Sequence, residues 1–189
     1  MNLSFSRVPL LVWILIPTVL IIGLGVWFFS KSSMGNNPSG EGETKPAAVS
    51  SPVAGTVDFD IIGREHVSQG TSISTYNSNP PTSGPHWPAA AKNGIYESSL
   101  PDEQLLHNLE HGYIWISYKS DVSDDVKGEL KKIVEEDNWK IVLEPRDKNE
   151  SAIALAAWGR VLKMDQPDYE KVREFIKTYR NRGPERTPE

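Results

Sequence analysis

Residues 8–29 carry no charge and read Val8-Pro-Leu-Leu-Val-Trp-Ile-Leu-Ile-Pro-Thr-Val-Leu-Ile-Ile-Gly-Leu-Gly-Val-Trp-Phe-Phe29. No other stretch limits the fold as strongly. A helix needs about 20 apolar residues to cross the hydrocarbon core of a bilayer, and this run supplies them. A cleaved secretory signal has an apolar region of only about 7–15 residues before a small-residue cleavage site. Here the run is longer, and Phe28-Phe29-Ser30-Lys31 is a poor cleavage site. Pro17 is tolerated in a lipid-embedded helix, and Trp27 and Phe28 suit the interfacial aromatic belt. The expectation is a seven-residue N-terminal tail (residues 1–7) followed by an uncleaved signal anchor over residues 8–29, making a single-pass protein of the cell membrane. Lysine and arginine bias sets orientation. With Arg7 before the span and Lys31 and Lys45 after it, charge alone does not choose a side.

Residues 30–56 turn to Ser, Gly, Asn, Pro and Ala. Such a composition buries too little apolar surface to offset the entropy of ordering it, so a flexible linker is expected there. Residues 57–189 are enough for one domain with its own core. The first 56 residues carry Arg7, Lys31 and Lys45 against Glu41 and Glu43, a net of +1, and the chain is −5. The domain is therefore −6. An acidic domain without a basic stripe argues against nucleic acid as a partner and against lying flat on anionic lipid. The chain has no cysteine, which excludes lipidation at an N-terminal cysteine and a thiol nucleophile.

Within the domain, Val57, Phe59 and Ile61 alternate with Asp58 and Asp60, which predicts a strand over residues 57–62. Residues 63–100 show little periodicity. Their core, Tyr76-Asn-Ser-Asn-Pro-Pro-Thr-Ser-Gly-Pro-His86, excludes helix and central strand. A loop this long inside a compact domain usually serves a function; the alternative is an arm packed on the surface by Tyr76 and Trp87. Pro101-Asp102-Glu103 opens a helix reaching about residue 110, with Gly112 as its stop. Residues 113–118 read as a strand, and Ser123 caps an amphipathic helix with Val126, Leu130, Ile133 and Val134 on one face. Residues 140–144 and 152–158 are the next strands. Residues 168–180 form a closing helix with Val172, Phe175, Ile176 and Tyr179 at core spacing. The tail from Asn181 onward is expected to fray. This irregular order predicts a single small α+β domain with an irregular Pro-rich loop.

All four histidines, His66, His86, His107 and His111, lie in the middle of the chain. In a helix over residues 101–111, His107 and His111 stand on one face a turn apart, the spacing by which a helix offers two imidazoles to one ion. With His86 and His66 from loops they form a three- or four-imidazole set that zinc or copper accepts. The other reading is of buried rings hydrogen-bonded to backbone or carboxylate, with Glu110 or Glu97 as partners. That reading is favoured for His66 and is level with the metal reading for His107 and His111. His107-x-x-Glu110-His111 also fits the H-x-x-E-H pattern of a zinc peptidase. Such an enzyme places the motif inside a long helix and needs a later carboxylate ligand. Here Gly112 follows at once, and Glu174 sits on a solvated face. Ser83 lacks the strand-to-helix elbow of a nucleophile. No catalytic residue and no organic cofactor site is assigned, and the balance leans away from an enzyme.

Tyr76, the segment Pro80-Pro81-Thr82-Ser83-Gly84-Pro85-His86, Gly94-Ile95-Tyr96 and the block His107-Asn108-Leu109-Glu110-His111-Gly112 together resemble the bacterial domain-of-unknown-function family numbered thirty-one hundred and five. Ala157-Trp158-Gly159 and Gly183-Pro184-Glu185 extend the likeness over nearly all of the domain. The resemblance implies a layout, an N-terminal membrane span bearing an exported domain, and so favours a domain outside the cytoplasm. It implies no activity. The leading functional expectation is a membrane-tethered extracytoplasmic domain binding a divalent metal, zinc or copper, or a small ligand through His86, His107, His111 and His66. The second is a metal-free module holding a protein or envelope partner on the proline-rich arm. The third is a metal-dependent hydrolase using His107, Glu110 and His111.

Overall fold

A computed structural model of the chain describes residues 45–187. The expected N-terminal tail, the anchor over residues 8–29 and the linker up to residue 44 lie outside the described residues. Among those described, no helix is long and apolar enough to cross a membrane.

The domain is α+β, built on a six-stranded mixed sheet. Its strands are β1 (Thr56–Asp58), β2 (Gly94–Ile95), β3 (Ile114–Tyr118), β4 (Ile141–Pro145), β5 (Ile153–Ala157) and β6 (Arg160–Met164), in the order β1-β6-β5-β3-β4-β2. β3 and β2 run parallel to β4; the remaining pairs are antiparallel. Three helices complete the domain: α1 (Asp102–Glu110), α2 (Asp124–Glu136) and α3 (Tyr169–Tyr179).

Side chains alternate across a strand, and here that alternation separates two cores. Leu155, Ile116 and Leu143 are paired neighbours on β5, β3 and β4. They pack with Leu130, Ile133 and Val134 of α2 and Val172, Phe175, Ile176 and Tyr179 of α3. The next row, Ala156, Trp115 and Val142, belongs to a second core with Leu105, Leu106 and Leu109 of α1. Both faces of the central strands are thus buried, which is why β5 reads as an unbroken apolar run and β3 as one interrupted only by Ser117. The helix caps follow the sequence: Ser123 Oγ accepts from Val126 N–H at 3.4 Å, and Asp168 Oδ1 accepts from Lys171 N–H at 3.0 Å.

The ends of the domain depart from expectation. Packing begins ahead of residue 57: Val53 is 2 % exposed and its N–H donates to the Tyr179 hydroxyl at 3.0 Å. Ala47 O accepts from the buried Arg160 guanidinium. Two valines, Val53 in the core and Val49 packed against it, add apolar contacts to these bonds. The first strand is shorter than its alternation suggested, ending at Asp58: Phe59 N–H still donates to Gly159 O in register, but Gly159 N–H goes to Thr82 O instead of returning the bond. Residues 181–187 of the C-terminal tail do not fray but fold back over the end of α1. Asn181 N–H donates to Gly112 O at 2.7 Å, and Glu185 N–H to Glu110 O at 3.1 Å. Lys140, 1 % exposed, joins the two with its ammonium on His111 O, Asn181 Oδ1 and Thr187 O at 2.9–3.0 Å. A side chain at Gly183 would run into the Glu110 carbonyl, and Gly112 has φ +80° with a Cβ position 2.8 Å from Asn181 Cα. Glycine is required at both.

Candidate metal centre

The HNLEHG block divides its labour along one turn of helix. Asn108 is fully buried and holds the backbone of Ala91 in a reciprocal pair, accepting from Ala91 N–H and donating to Ala91 O, each at 2.8 Å. Leu109 enters the core. His107 and Glu110, three apart and so on one face, point toward the proline-rich arm.

That arm is ordered. Residues 80–84 are buried, and Tyr76 Oη donates to Pro85 O at 2.8 Å. Ser83 Oγ accepts from Ile62 N–H at 3.1 Å, so the serine fastens the preceding loop. Gly84 N–H donates to Gly63 O, His86 N–H to Glu65 O and Val67 N–H to His86 O, at 2.8–3.0 Å. These bonds form a short parallel bridge between His66 and His86, and this pairing brings His66 into the site.

His66, His86, His107 and Glu110 each offer one ligand atom, and all four atoms lie within 4.8 Å of one another. The His86 ring, fully buried, is 5.0 Å from that of His66 and 5.3 Å from that of His107, edge-on to both. His66 stacks on His107 with centroids 5.0 Å apart. His66 was expected to be a buried structural ring; its side chain is instead 48 % exposed and 3.7 Å from Glu110 Oε2. His111 stands beside His107, ring centroids 4.4 Å apart, but its ligand atoms gather with Glu110 and Glu185 instead of with the other three imidazoles. α1 ends at Glu110 with His111 as its C-cap, whose N–H still donates to His107 O at 3.2 Å, so the two rings keep their i, i+4 facing while the tail brings Glu185 to the far side of His111.

Backbone carbonyls fix the tautomers. His86 Nδ1 is 2.9 Å from Gly84 O and His107 Nδ1 is 2.9 Å from Trp87 O. A carbonyl only accepts, so both Nδ1 atoms carry the proton and leave Nε2 for the cluster. This is the orientation that metal-bound histidines adopt. His86 Nε2 meets Glu110 Oε2 at 3.0 Å, and a lone pair facing a carboxylate needs a proton or a cation between them. Burial pushes the His107 pKa down, joined by the charges of His111 and His86, against the Trp87 hydrogen bond and Glu110; the net direction is down. For Glu110, burial pulls upward, but the hydrogen bond to His86 and the charges of His86, His107 and His66 outweigh it. The site therefore presents a neutral His107 and an ionised Glu110 near neutral pH.

Glu110 figures in the sequence only as a general base or hydrogen-bond partner; its spacing from His107 was the available signal for a fourth donor. Glu185 gave no signal beyond the Gly183-Pro184-Glu185 segment. The other carboxylates weighed as partners sit elsewhere: Glu97 pairs with Lys131 at 2.9 Å, and Glu174 is exposed.

Neither a curated protein nor a solved structure matches the chain. Residues 66–189, beginning at His66 and including all four histidines, match the family described as "Protein of unknown function (DUF3105)". With that match over more than half its length, the chain belongs to the DUF3105 family.

Proposed function

We propose that this domain binds a divalent transition-metal ion, zinc or copper, through His66, His86, His107 and Glu110, and does so outside the cytoplasm, tethered by residues 8–29. The observation that carries the reading is the meeting of His86 Nε2 with Glu110 Oε2 at 3.0 Å while both buried histidines spend their Nδ1 protons on backbone carbonyls. Three imidazoles and one carboxylate suit zinc and copper. Bonds of about 2.0–2.1 Å keep two ligands of one ion within about 4.2 Å of each other. A set within 4.8 Å closes on the ion by less than about 1 Å. The half-exposed His66 leaves the ion reachable from solvent.

Adding zinc or copper to the purified chain is expected to raise its Tm, by the equivalent of about 2.7 kcal/mol at 100-fold excess over Kd. His86→Ala and His107→Ala should lose most of that shift. The shift should fade as pH drops through the imidazole range, because only neutral rings coordinate. A metal-free ion pair between a protonated His86 and Glu110 predicts the opposite pattern: no shift in the wild type and a large loss in His86→Ala.

The topology rests on the uncharged span, the poor cleavage site and the family likeness. Protease added to intact spheroplasts should digest the domain and leave the anchor in the membrane. Protection of the domain would reverse the orientation.

A further inference from the structure

We propose that the centre takes two divalent ions, bridged by the Glu110 carboxylate, with His111 and Glu185 completing the second position; this rests on the single-ion reading above. Glu110 belongs to both convergent groups: His66, His86, His107 and Glu110 on one side, Glu110, His111 and Glu185 on the other. A carboxylate has two oxygens, and Oε2 faces His66 and His86. A bridging carboxylate suits ions about 3.5–4 Å apart, and His107 and His111, one from each group, have ring centroids 4.4 Å apart.

Two further observations point to a ligand at the second position. His111 Nε2 lies 3.7 Å from Glu185 Oε2, too long for a hydrogen bond but ordinary for two ligands of one ion. His111 Nδ1 is buried without a hydrogen-bond partner among the described residues, so no carbonyl commits its proton to either nitrogen. The backbone carrying Glu185 is fixed by its own N–H on Glu110 O and by the Lys140 contacts to Asn181 and Thr187. The side chain itself is 54 % exposed. The first position has four protein ligands and the second three, one of them shared. The second ion is therefore the weaker and more exchangeable, with coordination left for solvent or an incoming oxyanion.

The full chain in detergent, equilibrated with zinc, should carry two ions by native mass spectrometry. Glu185→Gln and His111→Ala should each carry one, with the affinity of the retained ion changed by no more than a few fold. Loaded with copper(II), the wild type should give a spin-coupled electron paramagnetic resonance spectrum, and Glu185→Gln an uncoupled one. One ion in wild type and variants alike would overturn the bridge and leave the single-ion reading standing. Two ions in Glu185→Gln and His111→Ala would place the second ion elsewhere and also overturn it. No ion in the wild type would overturn both.

Discussion

Replacing Arg146 with alanine should destabilise the domain by about 3–5 kcal/mol, the range for removing one partner of a buried ion pair. Arg146 is 3 % exposed. Its Nε and Nη2 donate to the two oxygens of Asp102 at 2.9 and 2.8 Å, and Nη1 donates to Asn79 Oδ1 and Asn149 Oδ1 at 2.7 and 2.8 Å. The guanidinium also lies over the Trp115 ring, 5.3 Å from its centre. One side chain, on the residue that follows β4, therefore ties the end of that strand to the first residue of α1 and to the start of the proline-rich arm, the two elements that deliver His107, Glu110 and His86. Arg146→Lys keeps the charge but not the planar fork and should fall between the wild type and the alanine variant. Urea unfolding measures the loss; a value under about 1 kcal/mol would mean the network is not holding these elements together.

Glu144, in the same region, sets the second large effect. It is fully buried, and burial, the largest influence, pushes its carboxyl up to about 7 despite donors at Leu100 N–H and Trp115 Nε1–H. The folded state thus holds this proton more tightly than the unfolded chain. Its stabilising contribution is complete below the unfolded pKa and is lost as pH rises through the folded one. The shift corresponds to about 3 kcal/mol lost between roughly pH 4.5 and 7.5. Several carboxylates with lowered pKa, Glu110, Asp137 and Asp147 among them, act in the opposite direction, so the wild-type profile alone does not isolate it. Glu144→Gln does. Relative to the wild type, the variant should gain about 3 kcal/mol across that window, and parallel profiles would refute the assignment.

Periodicity revealed α2 and α3, each of which buries one face; start and stop signals revealed α1, and apolar content revealed β3, β4 and β5. None of these signals revealed β6. Arg160 and Lys163 interrupt that strand's apolar residues, and the Arg160 charge is met by Asp58, far back in the sequence. β2 is two residues long and pairs only at the sheet edge, too short to leave any pattern. In the candidate site, His107 and His86 stood out by motif. His66 did not, since its position follows from a backbone pairing with residues some way along a patternless loop. The helix end at Glu110 was legible from Gly112, but the turn of the His111 ligand atoms toward Glu110 and Glu185 was not, because Glu185 arrives on a tail that no local window contains.

The long reach of the domain's closing contacts sets the order in which it can be completed. Val53 finds its hydrogen-bond partner 126 residues later, at Tyr179, and Ala47 finds Arg160 113 residues on. Glu110 and His111 are locked from behind only once residues 181–187 arrive. A chain synthesised from its N-terminus therefore presents its imidazoles well before it can shape them into a site. Until the tail docks, those rings lack the contacts that fix them in the folded domain. On the metal reading proposed above, the ion kept would be chosen by an exchange between an open, unselective chelate and a closed, shaped one. Such non-local closure is intrinsically slow, which gives that exchange time to happen.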